Sequence, residues 1–257
     1  TFCRATSVSS LAIATSLFCS SVILIASARV IDNGASETPI RGARSSTTGA
    51  GCANAGDAGI NGDDPRAWDP ASDTITSLSR AGFDLFCSGH NFLPDGRLFV
   101  AGGHFSNNVG LAEATIYDPT FNTWTRQPPM NLGRWYPTTT MLPNGDVLVV
   151  TGDVDLSSGN NPLPQVWQFA TGTWRSLTSA QLQLPLYPNM FLAPNGRVFN
   201  ATPGVQTRYL DTTGTGAWSV LGNRTFSAGR HCGRDAIDQP GKTLLAGGWL
   251  PPTSTAA

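Results

Sequence analysis

Short apolar runs bounded by turn residues recur along this chain. Arg97-Leu98-Phe99-Val100-Ala101 and Asp146-Val147-Leu148-Val149-Val150 are rich in β-branched and aromatic side chains and too short for helices, so they read as strands. Each follows a Pro-containing turn closed by a glycine, Gly96 or Gly145, with further copies at Gly196 and Gly241. In such turns proline presets φ and glycine accepts a positive φ. The four glycines are 49, 51 and 45 residues apart. Six and seven positions after them come Gly102-Gly103, Thr151-Gly152, Thr202-Pro203 and Gly247-Gly248. An aromatic strand start follows (Tyr117-Asp118-Pro119, Trp167-Gln168-Phe169, Tyr209-Leu210-Asp211), and Trp124, Trp174 or Trp218 ends the unit. A period near 50 with about four strands, a glycine pair and a late tryptophan predicts an all-β fold, the kelch type of β-propeller. A β-sandwich with chance periodicity is the competing architecture.

Composition agrees. Only 13% of residues are charged, about half the usual quarter, and there are 28 glycines and 18 prolines in 257 residues. This suits a turn-rich domain with much buried strand surface. A net charge of −1 without a basic stripe argues against nucleic acid as a partner. Three full repeats are visible, with the tail of an earlier one at Trp68-Asp69-Pro70 and the first strands of a later one. A closed propeller needs four to eight blades, so the propeller is expected to be incomplete.

Arg4 precedes an apolar, small-residue stretch from Leu11 to Ile25, and Ala26-Ser27-Ala28 supplies an A-x-A cleavage pattern. Residues 1–28 therefore read as a secretory signal peptide, which predicts a secreted protein with no stable membrane insertion after cleavage; a membrane anchor is the alternative. Residues 29–66, rich in Gly, Ala, Ser and Thr, read as a low-complexity linker without strands. Residues 67–257 form the expected partial propeller. Asn200-Ala201-Thr202 and Asn223-Arg224-Thr225 are candidate glycosylation acceptors.

The residue nine before each turn glycine is Cys87, Tyr136, Tyr187 or Cys232. The innermost strand of a blade lines the central channel, so residues one repeat apart lie at one depth, and Cys87 and Tyr136 become neighbours on adjacent blades. A thiol beside a phenol can be oxidised to a thioether, and the sulfur substituent makes the ring easier to oxidise and able to ligate a metal. Imidazole and phenolate suit Cu(II). The same positions also suit a buried small cysteine and a packed strand aromatic. Tyr187 and Cys232 share the register, and Cys52–Cys232 is a candidate disulfide.

Phe86-Cys87-Ser88-Gly89-His90, Leu93-Pro94-Asp95-Gly96-Arg97, Ala101-Gly102-Gly103-His104, Tyr117-Asp118-Pro119 and Gly133-Arg134-Trp135-Tyr136-Pro137-Thr138 follow in order. Together they resemble the start of the catalytic propeller of glyoxal oxidase-like proteins, in the galactose oxidase superfamily of copper-radical oxidases. The resemblance runs from about Trp68 to Trp218 and resumes at Gly241 through Thr253. It implies a Cys87–Tyr136 thioether radical cofactor, Tyr136 as a copper ligand, and oxidation of a small aldehyde or primary alcohol by O2 with release of H2O2. It also implies that two histidines and an axial tyrosine come from later blades and a C-terminal β-domain, so the chain by itself is expected to be inactive.

His90, His104 and His231 do not match the family's ligand positions, and the first two are expected to be structural. Galactose oxidase-type members place a tryptophan over the crosslink from the loop corresponding to Gly152-Asp153-Val154-Asp155-Leu156, which has no aromatic here. Asp153 and Asp155 in that loop are expected to be solvated rather than cation ligands. The charged run Gly233-Arg234-Asp235-Ala236-Ile237-Asp238 departs from the apolar strand of relatives and predicts a damaged fourth repeat. The alternative function is a non-catalytic kelch propeller that binds a glycan or a protein.

Overall fold

The computed structural model describes residues 42–43, 65–69, 74–202, 204–224, 234–239 and 242–246. Nineteen strands form within them. Gly42–Ala43 (β1), Arg66–Asp69 (β2) and Thr74–Ser77 (β3) make a three-stranded antiparallel sheet. The first full blade is Gly89–Phe92 (β4), Leu98–Ala101 (β5), Ala114–Asp118 (β8) and Thr123–Gln127 (β9), interrupted by a hairpin of His104–Ser106 (β6) and Val109–Gly110 (β7). Thr138–Met141 (β10), Val147–Val150 (β11), Gln165–Gln168 (β12) and Thr173–Ser176 (β13) make the second blade. The third is Asn189–Leu192 (β14), Val198–Thr202 (β15), Gln206–Asp211 (β16) and Ala217–Asn223 (β17). Arg234–Gln239 (β18) and Lys242–Ala246 (β19) pair as a hairpin, with β18 beside β14. All ladders are antiparallel, as expected of propeller blades.

Two expectations are modified. The segment read as a strandless linker contributes β1, which pairs Gly42 with Trp68 and Ala43 with Ala67. The charged run read as damaged forms β18, with a register irregularity between Ile237 and Gln239. The leader, Cys52, His231 and Cys232 lie outside the described residues.

Burial on both faces explains the apolar runs. In β11, Val147 and Val149 join Phe99, Ala101, Ala114 and Ile116 of the first blade in one cluster. The alternate residues Leu148 and Val150 join Val198 and Leu210 of the third. The side-chain period of two thus serves two interfaces at once, and no polar position is left in the strand. The first blade repeats the pattern: Leu98 and Val100 pack on Ala81 and Leu85, while Phe99 meets Trp167 at 4.8 Å between ring centres.

The turns behave as their sequences require. Gly96, Gly145 and Gly196 have φ near +80°, and each N–H donates to the carbonyl three residues earlier, at 2.9 to 3.0 Å. The late tryptophans also share a task. The indole N–H of Trp124 donates to the Ser79 carbonyl (2.7 Å), that of Trp174 to Pro128 (2.7 Å) and that of Trp218 to Ala180 (2.8 Å). Each ties an outer strand back to the segment that enters its own repeat.

Candidate functional site

Cys87, Tyr136 and Tyr187 all lie in the left-handed region, with φ of 60°, 63° and 45°. That conformation costs a residue bearing a side chain about 1–2 kcal/mol, so it persists only where its surroundings impose it, and such outliers cluster at functional sites. Here it kinks each incoming segment into an inner strand two residues later. A backbone chain joins the three positions. The Tyr136 N–H donates to the Cys87 carbonyl (2.8 Å), and the Tyr187 N–H to the Tyr136 carbonyl (3.1 Å). Between the second and third blades the Thr138 hydroxyl adds a bond to the Pro188 carbonyl (2.8 Å). The nine-residue register is therefore a physical level in the fold.

The side chains collect there as well. Cys87 is buried in a cluster with Phe86 and Trp135, against which Tyr136 and Leu186 pack. Phe86, Trp135 and Leu186 are themselves register equivalents, ten before their turn glycines. The Tyr136 ring stacks on Trp135 (3.9 Å, 11° between planes) and on Tyr187 (4.7 Å, 22°). The Tyr187 hydroxyl donates to the Ser88 carbonyl at 3.3 Å. Tyr187 is thus a stacking partner of Tyr136.

The segment carrying Trp135 and Tyr136 is clamped. Arg134 is 0% exposed. Its guanidinium donates to the carbonyls of Thr151 (2.7 Å) and Leu163 (2.6 Å) and to the Asn131 side chain (3.2 Å). These partners are neutral, and burial pulls the Arg134 pKa down to about 9. Trp135 and Asp153 exchange two backbone bonds, at 2.9 and 2.8 Å. Glycines permit this approach: a Cβ on Gly152 would lie 2.7 Å from Arg134 Cβ, and one on Gly110 2.2 Å from the Trp135 nitrogen. Gly152 also has φ +100°.

The expectation of a solvated Asp153 and Asp155 holds for only one of them. Asp153 is buried and accepts from Asn108 Nδ2 (3.0 Å), and burial raises its pKa. Asp155 accepts bonds from the backbone and hydroxyls of Ser157 and Ser158, which hold its pKa at about 2. The two carboxylates thus have different partners. Asn200 is 4% exposed within β15, which removes it as a glycosylation acceptor in the folded chain, whereas Asn223 is exposed.

His90 and His104 are the described histidines. His90 sits on β4, where burial lowers its pKa to about 4. His104 is buried, with Nδ1 3.5 Å from Asp84 Oδ2. Among the described residues no three His, Cys, Asp or Glu side chains converge to hold a metal. Cys87 and Tyr136 bring a thiol and a phenol into one packed cluster. The described residues do not fit a complete copper site.

Sequence reasoning found the Cys87–Tyr136 level but missed Trp135, Tyr187 and Arg134 as its supports. The available signal was the large apolar residue ten before each of Gly96, Gly145 and Gly196.

Successive four-stranded antiparallel sheets give the chain the blades of a partial β-propeller. The glyoxal oxidase N-terminus family model matches residues 66–207, and the chain belongs to that family. Galactose oxidase from Gibberella zeae is 25% identical over 208 residues, which cover 71% of this chain and 29% of that protein. The aldehyde oxidase GLOX from Vitis pseudoreticulata is 31% identical over 119 residues, 45% of this chain and 23% of that one. The structure of a fungal alcohol oxidase of the AA5 family in complex with copper superposes with a TM-score of 0.59 at 23% identity, covering 69% of this chain and 38% of that chain, a likeness of fold. The chain thus spans less than a third of the length of either curated relative.

Proposed function

We infer that this chain is the amino-terminal, radical-bearing part of a secreted copper-radical oxidase acting on small aldehydes or primary alcohols. The observation that carries the reading is the shared strained level of Cys87 and Tyr136, joined by the 2.8 Å backbone bond and packed in one cluster. The family membership and the oxidase relatives support it.

The chemistry assigned to the pair is a thioether between Cys87 Sγ and the Tyr136 ring carbon ortho to the hydroxyl. Its formation removes the thiol hydrogen and one ring hydrogen; O2 accepts the two electrons and two protons and leaves as H2O2. In turnover a primary alcohol becomes an aldehyde, or an aldehyde hydrate becomes an acid, again losing two electrons and two protons to O2. Copper, when bound, supplies one-electron redox capacity beside the tyrosine. Trp135 and Tyr187 hold the Tyr136 ring by stacking, and Arg134 fixes the backbone that presents it.

The test is peptide mass spectrometry after expression with copper and air. A Cys87–Tyr136 crosslinked peptide two hydrogens lighter than the sum of its parts is expected. A folded protein in which Cys87 is still fully alkylated would overturn the reading and favour a binding propeller.

A further inference from the structure

Two buried nitrogens beside the Tyr136 stack lack a hydrogen-bond partner: His104 Nε2 and Trp135 Nε1. Both residues are 9% exposed, and their ring centres lie 6.5 Å apart with planes at 40°. Leaving a buried polar nitrogen unpaired costs about 1–3 kcal/mol, so two orphans on neighbouring rings call for a common explanation.

The orphans are chemically complementary. Indole nitrogen only donates, and a neutral imidazole has one donating and one accepting nitrogen. Which nitrogen of His104 accepts is set by Asp84. Its Oδ2 faces Nδ1 at 3.5 Å, which places the proton on Nδ1 and the lone pair on Nε2. Asp84 is itself fixed, because Oδ1 accepts the Phe86 N–H (2.8 Å) and its carbonyl accepts the His104 N–H (3.1 Å). Gly103 permits this approach, since a Cβ there would lie 2.2 Å from the Asp84 carbonyl oxygen. The His104 ring also stands edge-on to Phe86 (5.3 Å, 87°). It therefore touches the residues immediately before both Cys87 and Tyr136.

We propose that His104, oriented by Asp84, accepts the Trp135 indole N–H through one buried water, and is thereby a positioning residue for the ring stack on Tyr136. An indole whose N–H is engaged is more electron-rich. Stacked 3.9 Å from Tyr136, it stabilises the electron-poor ring left when Tyr136 is oxidised. His104 thus acts on the tyrosine through Trp135 without touching the reacting atoms. This tuning role rests on the redox function proposed for Tyr136; the hydrogen bond does not.

The experiment uses the full chain and two readouts. The first is the ultraviolet resonance Raman band that reports indole N–H hydrogen bonding, isolated from the other six tryptophans by difference against W135F. The wild type should show a bonded indole, H104F should move the band to the unbonded position, and H104Q, which restores an acceptor, should move it back. If phenylalanine is not accommodated, H104M removes the acceptor equally well. An indole band identical in wild type and acceptor-less variants overturns the pairing. The second readout is the long-wavelength absorption of oxidised Tyr136 after the crosslinked protein is treated with a one-electron chemical oxidant. It should shift in H104F and recover in H104Q. A Raman change without that shift overturns the tuning role. If the wild type forms no Cys87–Tyr136 crosslink, the oxidase reading and the tuning role fall together, while the Raman band still decides the hydrogen bond.

Discussion

The backbone N–H of Tyr136 donates to the carbonyl of Cys87 at 2.8 Å, so these residues, 49 positions apart, are tied together before any side-chain chemistry takes place. The pairing belongs to the backbone and is independent of side-chain identity. C87S and Y136F should therefore fold with near wild-type stability and lose the crosslink completely, as read by melting temperature and peptide mass.

Trp135 lies almost parallel to Tyr136. Aromatic stacking of this kind contributes about 0.5–1.5 kcal/mol beyond area burial. W135A should slow crosslink formation by about two- to tenfold, measured as the time course of the peptide two hydrogens lighter. W135F should retain most of the rate. Equal rates in wild type and W135A would show that the stack does not hold the ring.

Gly152 combines φ +100° with a backbone that leaves no room for a methyl group. G152A must strain the backbone and push Arg134, at a combined cost of about 3 kcal/mol. Denaturant melts should show the loss. An alanine at Gly159, where nothing lies within 4 Å of the added carbon, carries only the strain of its left-handed φ and should cost less.

His90 gives stability a defined pH dependence. Its folded pKa is lowered to about 4 by burial, whereas the unfolded side chain titrates near 6.5. Between those values the unfolded chain binds more protons, so stability falls as pH drops from 6.5 to about 4 and is level again below that. The loss at this one site is about 3 kcal/mol. H90Q should flatten that part of the profile, as read by chemical denaturation at pH 7, 5 and 4.

Trp174 closes its repeat through one bond to the Pro128 carbonyl. W174F keeps the ring and deletes the donor, which should cost about 1 kcal/mol. Hydrogen exchange should speed up along β13 and the segment after Gln127.

Much of this was legible in the sequence because a propeller writes itself as a period. Gly96, Gly145 and Gly196 occupy the conformation that only glycine adopts cheaply, and the strands after Gly96 and Gly145 are apolar throughout because neighbouring blades cover both faces. The Cys87–Tyr136 level follows from the same count. The supports of the site were not legible, because they depend on contacts across blades without a repeat. Nothing in the sequence shows that the acceptors of Arg134, Thr151 and Leu163, come from a later loop. Nor does it show that the Trp135 ring lies parallel to Tyr136. The loop after Gly152 lacks an aromatic, yet an indole still covers the tyrosine, supplied from the adjacent position in the chain. Asp153 looks solvated in a Gly-Asp-Val-Asp loop, and it is the Trp135 backbone and Asn108 that bury it.

The tryptophan bonds have one more consequence. Each spans 45, 46 or 38 residues and starts and finishes within a single repeat. No clasp borrows a partner from another unit, so a whole unit can be duplicated or deleted in one genetic event without opening the clasp of its neighbours. What such an event must preserve is the nearest-neighbour seam between units, as in other repeat architectures. For this chain, that seam is where the cysteine of one unit meets the tyrosine of the next. Shuffling units would therefore leave each blade intact and change the chemistry.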